Sequence, residues 1–287
     1  MKQQIQLLII DPQNDFCDLP DAYKPRNPLT GAATDPALPV AGAHADMQRL
    51  AGLIRAGSAG LTDIAVTLDS HHRLDIAHPT FWQQRDGSAV SPFTPITAMQ
   101  VRDGDFQPRD PASLTRALAY LDELEARGRY TLMVWPVHCE IGTWGHNVHA
   151  DVRAAYNQWE EQQLRTVEMV TKGENPWTEH YSAVMAEVPD EADDHTQLNQ
   201  GLIAQLDRAD AIFIAGEASS HCVKATTEHI VANLGRVERI TLITDCMSPV
   251  GGFAEAHDAF LSDMRSRGVK LATAAEVLPL LQANAAR

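Results

Sequence analysis

The sequence predicts an α/β protein in which a parallel sheet of about six strands carries helices on both faces. Three observations lead there. Short apolar runs alternate with stretches of helical spacing along all 287 residues, the pattern of strands joined by helical crossovers. The runs stop at residues able to do chemistry: Asp11, Asp69, His138 and Lys172, with Cys222 reached through Gly216. No linker-like stretch separates two self-contained sets of elements, so residues 1–287 read as one domain. Long surface loops fall near 18–38 and 83–109.

Ile5–Ile10 is the first strand, and it ends at Asp11-Pro12-Gln13-Asn14-Asp15-Phe16. Asp11 therefore sits at a carboxyl strand end, where open parallel sheets bind ligands. From Cys17 to Pro39 the chain is rich in Pro, Asp, Gly and Ala without period, and reads as a surface loop, a flap over the site. Helical spacing runs from about Val40 to Ile54, and Asp63–Leu68 is the second strand, ending at Asp69. Residues 79–110 read as irregular around Phe81, Trp82 and Phe93. Asp110-Pro111 starts a helix, an N-cap followed by proline, which runs to about Arg127 and is closed by Gly128.

Tyr130–Val134 is the third strand and brings His138 to the same edge as Asp11 and Asp69. A helix starts near Val148. Thr166–Thr171 is the fourth strand, followed by Lys172-Gly173. Two helical stretches follow, near Glu179–Val188 and Thr196–Leu206. Ala211–Ala215 is a buried strand, and Gly216 leads from it into a turn and a helix with Cys222 at its start. Arg239–Thr244 is a further strand, a helix-and-strand pair spans about Phe253 to Leu271, and a short helix closes the chain.

A hydrophobic fraction of 44% and a charged fraction of 21% are those of a globular protein with an ample core. The net charge of −15 argues against a nucleic acid or an anionic membrane surface as partner. No run approaches a membrane span, and no signal-peptide pattern opens the chain. Four cysteines, at 17, 139, 222 and 246, make no disulfide framework in a chain this long. A reduced, cytoplasmic protein with a small-molecule partner is the expectation.

Cys222 at a helix N-terminus has free N–H groups and the positive end of the helix dipole beside it, which favour a thiolate and can hold an oxyanion. A cysteine nucleophile also needs a group to take its proton. Asp11 can be that base, and Lys172 the positive neighbour for carboxylate and thiolate. Asp69-Ser70-His71-His72-Arg73-Leu74-Asp75-Ile76-Ala77-His78-Pro79 is the densest ligand-type stretch. An Asp-x-His pair on extended backbone presents carboxylate and imidazole on one side, where both reach one cation. Such a donor set suits zinc, iron or manganese.

Together, Asp11-Pro12-Gln13-Asn14-Asp15-Phe16, Asp69-x-His71, Trp135-Pro136-Val137-His138-Cys139, Lys172-Gly173 and Gly216-x-Ala218-x-x-His221-Cys222 resemble, in order, the nicotinamidases of the isochorismatase-like cysteine hydrolase superfamily. The resemblance implies a three-layer α/β/α fold and hydrolysis of nicotinamide to nicotinate and ammonia through a thioester. It implies Asp11, Lys172 and Cys222 as catalytic triad, and Ala218 and Cys222 amides as oxyanion hole beside a cis Glu217–Ala218 bond. It implies Asp69, His71 and His138 as ligands of one divalent metal, zinc first, with Fe2+ and Mn2+ as alternatives. His78 is the better match for a further ligand, with His72 its rival. Phe16 and Trp135 would flank the pyridine ring, and a homo-oligomer is expected. The alternative is an amidase of the same superfamily acting on another small amide or carbamoyl compound.

Overall fold

Ile5–Ile10 is buried at every residue and forms β1, an inner strand of the main sheet in the computed structural model, which describes residues 2–287. α1 (Ala43–Gly57) crosses over to β2 (Asp63–Asp69). An excursion then holds β3 (Trp82–Gln84), β4 (Thr94–Ile96), α2 (Ala98–Arg102), β5 (Phe106–Pro108), α3 (Leu114–Arg127) and β6 (Leu132–Val134). α4 (Ala150–Gln163) leads to β7 (Glu168–Lys172), and α5 (Gln200–Asp207) to β8 (Ala211–Gly216). α6 (Cys222–Asn233) leads to β9 (Ile240–Ile243), α7 (Ala254–Ser266) to β10 (Lys270–Ala272), and α8 (Ala274–Ala285) follows.

The main sheet has the order β10-β9-β8-β1-β2-β7, and every neighbouring pair is parallel. From β1 the chain steps through α1 to β2; from β8 it steps through α6 to β9, in the opposite direction along the sheet. Right-handed crossovers then place α1 and α6 on opposite faces. α4 and α8 pack on α1, and α7 packs on α6. The expected six-stranded parallel sheet between helical layers is thus present. The order reverses between β8 and β1, so a crevice opens at the carboxyl ends of these two strands. No helix among the described residues is long and apolar enough to cross a membrane.

Three sequence expectations change. The run Tyr130–Val134 does not join the main sheet; its ordered part, β6, pairs antiparallel with β4, and the sixth main strand is β10. Apolar residues at 132 and 134 specify a strand but not which sheet receives it. Residues 79–110 are not merely irregular. Trp82, fully buried, gathers Ile76, Phe81, Ile96, Val101, Leu121, Leu132 and Val134 into a second apolar cluster under α3. The stretch Glu179–Val188 is not helical. Its residues are nearly all buried, so no solvent face exists for an amphipathic helix, and its backbone bonds are not helical ones: Ala186 N–H donates to Thr196 C=O and Glu187 N–H reaches back eight residues to Glu179 C=O.

Gly216 ends β8 with φ +122°, and a Cβ there would lie 1.9 Å from the Ile10 carbonyl oxygen of the neighbouring strand. Both the conformation and the space require glycine. Gly216→Ala is expected to lower unfolding free energy by about 3 kcal/mol or more, read by urea denaturation.

Candidate active site

β1 and β8 pair residue for residue up to Ile10 opposite Gly216, so the turns that follow them start level. Asp11 adopts a left-handed conformation, φ 44°, which Asp tolerates better than most residues. Its amide donates to Thr67 Oγ1 at 3.0 Å, and the same hydroxyl donates to Asp11 Oδ1. On β7 the buried positions are Val170 and Lys172, two apart, so Lys172 points into the protein. Its register partner on β2 is Asp69.

Lys172 Nζ stands 2.9 Å from Asp11 Oδ2, 2.7 Å from Asp69 Oδ1 and 3.7 Å from Cys222 Sγ, and donates to the His180 carbonyl at 3.0 Å. All four side chains are buried. Burial opposes the charge of Lys172, but Asp11, Asp69 and Cys222 hold its pKa well above the ordinary lysine value. Burial also opposes ionisation of Asp69, yet His71 and Lys172 keep its carboxyl well below the carboxylate range. Asp11 is raised by burial, against the pull of Lys172. Burial likewise pushes the Cys222 thiol well above its ordinary value, despite Lys172. Burial thus favours the thiol form of Cys222.

Cys222 is the first residue of α6, so its N–H has no partner within the helix. The Ala218 amide has no partner among the described residues, while the Ala218 carbonyl accepts from His221 and Val223. The Glu217–Ala218 bond is cis, as the resemblance implies. His221 turns its Nδ1 to Ser220 Oγ at 2.9 Å, and burial pushes its pKa down to about 4.

Behind Asp69 stand three buried imidazoles, His71, His78 and His138, each with a ligand atom within 4.8 Å of the others. Nε2 of His71 and of His138 both approach Asp69 Oδ2, at 3.0 and 3.2 Å. His71 Nδ1 is held by Asp75 Oδ2 at 3.0 Å, which frees Nε2 for a cation. Nδ1 of His78 has no partner, and burial first, then His138 and His71, push its pKa to about 2. Three imidazoles around a carboxylate are a donor set for a divalent transition metal. His72, the rival of His78, is exposed and outside the group.

A small cavity joins these parts. Phe16, Leu38, Trp135, Tyr181 and Val250 form its apolar lining, and Asp69, His138, Glu179, His221 and Cys222 its polar one. Phe16 and Trp135 thus both reach it, and Leu38 arrives from the loop read as a flap. Tyr181 holds the Trp135 indole N–H at 3.0 Å.

Sequence reasoning missed Asp75, Thr67, Tyr181 and Glu179. Asp75 lay four residues after His71 in the ligand-rich stretch, a signal within reach. Glu179 offered none, because its segment read as a helix. Its Oε1 accepts from the His180 amide, its Oε2 has no partner, and burial raises its pKa to about 8.

No protein-family model matches the sequence, and no curated protein matches it. Solved structures do match. The fold is that of the isochorismatase-like hydrolases: one from Alkaliphilus metalliredigens aligns over 96% of this chain and 98% of its own, with TM-score 0.51 and 15% identity. The chain is also similar to a nicotinamidase/pyrazinamidase of Acinetobacter baumanii, with TM-score 0.61, 19% identity, and 96% and 98% of the two chains covered. A pyrazinamidase of Pyrococcus horikoshii, solved in complex with zinc, gives TM-score 0.52 and 18% identity over 94% of this chain and 99% of that one.

Purified protein never exposed to chelator is expected to carry about one transition metal per chain by elemental analysis, the count for one such donor set. His138→Ala should lose it and His72→Ala should keep it; metal-free wild-type protein would count against the site.

Proposed function

We propose that this chain is a metal-assisted cysteine amidase that releases ammonia from nicotinamide or a closely related aromatic amide. The observation that carries the reading is one buried ammonium, Lys172, set between the Asp11 carboxylate and the Cys222 sulfur. The cavity beside them supports an aromatic amide, with Phe16, Trp135 and Tyr181 to receive a ring. The similar structures include a nicotinamidase/pyrazinamidase and a pyrazinamidase, which point the same way.

As Cys222 sulfur attacks the amide carbon, its proton passes to Asp11, and the Ala218 and Cys222 N–H groups receive the developing oxyanion. Asp11 then gives the proton to the departing nitrogen, the C–N bond breaks, and ammonia leaves a thioester. Water attacks the thioester carbon while Asp11 accepts one of its protons; the C–S bond breaks as Asp11 returns that proton to the Cys222 sulfur, and the product leaves as the carboxylic acid, which ionises in water. Lys172 stays cationic throughout and steadies Asp11 as its charge comes and goes. Asp69, His71, His78 and His138 would hold the metal, and when bound it supplies a Lewis-acid contact that orients the substrate or its attacking water.

Ammonia release should be measured from nicotinamide, pyrazinamide and a panel of aliphatic amides. The aromatic amides are expected to lead; preference for an aliphatic one would move the substrate class. Cys222→Ala and Asp11→Asn should each cost at least about 10³-fold in kcat, with metal content unchanged. Near-normal turnover by Cys222→Ala would overturn the thioester. His221→Ala should keep kcat within about tenfold, since its ring is engaged by Ser220.

A further inference from the structure

Glu217 lies beside Ala218 in the turn between β8 and α6, yet the chemistry above gives its side chain no task. It is fully buried. Its Oε2 accepts from the Ser248 amide at 3.0 Å, and its Oε1 has no donor among the described residues. Asp46, buried on α1, meets the same serine: its Oδ2 accepts from Ser248 Oγ, and its Oδ1 from Arg49. The two carboxyl groups also lie within hydrogen-bond reach of each other. Neither carboxylate has a proton to offer when ionised, so such a bond requires that one of them keep its own.

Ser248 belongs to the loop after β9, and its carbonyl accepts from the Ser219 amide at 2.9 Å. Val250 N–H donates to Ser220 Oγ at 3.1 Å, and Gly216 N–H to the Cys246 carbonyl at 2.9 Å. The turn 216–220 is therefore held through this loop, and the loop through the carboxyl pair.

We propose that Glu217 is a positioning residue: a neutral carboxylic acid that donates its proton to Asp46 and so clamps the oxyanion turn to α1 and to the loop after β9. The proposal rests on the reading of that turn as the oxyanion site. Charges around the pair decide which member keeps the proton. On α1, Arg49 bonds Asp46 and the Asp245 carbonyl; the loop after β1 brings Cys17 and Asp18. Asp245 and Cys246 come from the loop after β9, and His257 of α7 is bound to Ser219 Oγ. The guanidinium faces Asp46, which makes Asp46 the anion. Burial first, then Asp46, push Glu217 well above the ordinary carboxyl value.

With its native pKa raised, Glu217 binds a proton that the unfolded chain has already released. Stability from the pair is complete below the ordinary carboxyl value and declines as pH rises towards the native one. Gln can donate to Asp46 and accept from Ser248 without titrating, so E217Q keeps the clamp and removes the pH dependence.

Difference infrared spectra of full-length wild type and E217Q at neutral pH should show a protonated-carboxyl band present only in wild type. The melting temperature of E217Q should gain on wild type between about pH 5 and about pH 8. On the amidase, E217Q should hold kcat within about twofold, while E217L loses about tenfold at little-changed KM. Absence of the band in wild type, its survival in E217Q, or a melting gap constant with pH would overturn the proposal. If no amide releases ammonia, the proposed function fails, and the infrared and melting results still decide the pair. Should E217Q not fold, D46N serves: burial keeps Glu217 protonated, but without the carboxylate acceptor its band should move to higher frequency, and an unmoved band would overturn the pair.

Discussion

The site depends on one buried ammonium. Lys172 ends an edge strand, yet its charge lies inside, against Asp11 and Asp69, with the Cys222 sulfur nearby. An unpaired charge at that depth would be expelled or neutralised; two carboxylates retain it. The two partners then diverge. Asp69 also faces His71 and His138, which hold it as an anion, while Asp11, raised by burial and by the neighbouring Asp69 charge, lies nearer to accepting a proton. One cation thus sorts two chemically identical side chains into different tasks.

The sheet supplies the levelling that this sorting requires. Asp11, Asp69 and Lys172 follow or end three consecutive strands, β1, β2 and β7, and Cys222 follows β8 on the other side of the reversal in strand order. Parallel register places the carboxyl ends together, with Asp69 opposite Lys172 and Ile10 opposite Gly216. The close approach at Gly216 lets the turn bearing Ala218 and Cys222 sit against β1, where Glu217 N–H donates to the Ile10 carbonyl at 2.8 Å. Packing and chemistry therefore meet at the same two residues.

The excursion between β2 and β7 serves the site from outside the sheet. Its apolar cluster around Trp82 gives the segment a foundation of its own. From there Trp135 reaches the cavity and His138 reaches the imidazole group. Phe93, half exposed, lays its ring edge against Trp135 with centroids 5.9 Å apart. Trp135 and His138 are thus carried by a segment that lies outside the main sheet.

Much of this was legible in the amino-acid order. A continuous apolar run such as Ile5–Ile10, cut off at Asp11, states both a buried strand and the polar residue at its end, because strand burial and strand ends are local properties. The spacing Asp69-x-His71 places two donors on one side of a strand for the same reason. What needed the tertiary structure was every choice among equal local signals. β6 and β10 are both three-residue strands, and only packing sent one to the satellite layer and the other to the main sheet. His72 and His78 are both imidazoles in one loop, and only burial beside His138 distinguishes them. Glu179 and Glu217 were unreadable as buried acids, because burial of a carboxyl group is decided by elements far along the chain. Residue type and short spacing act within a few residues, whereas desolvation and charge pairing are set by whatever the fold brings alongside.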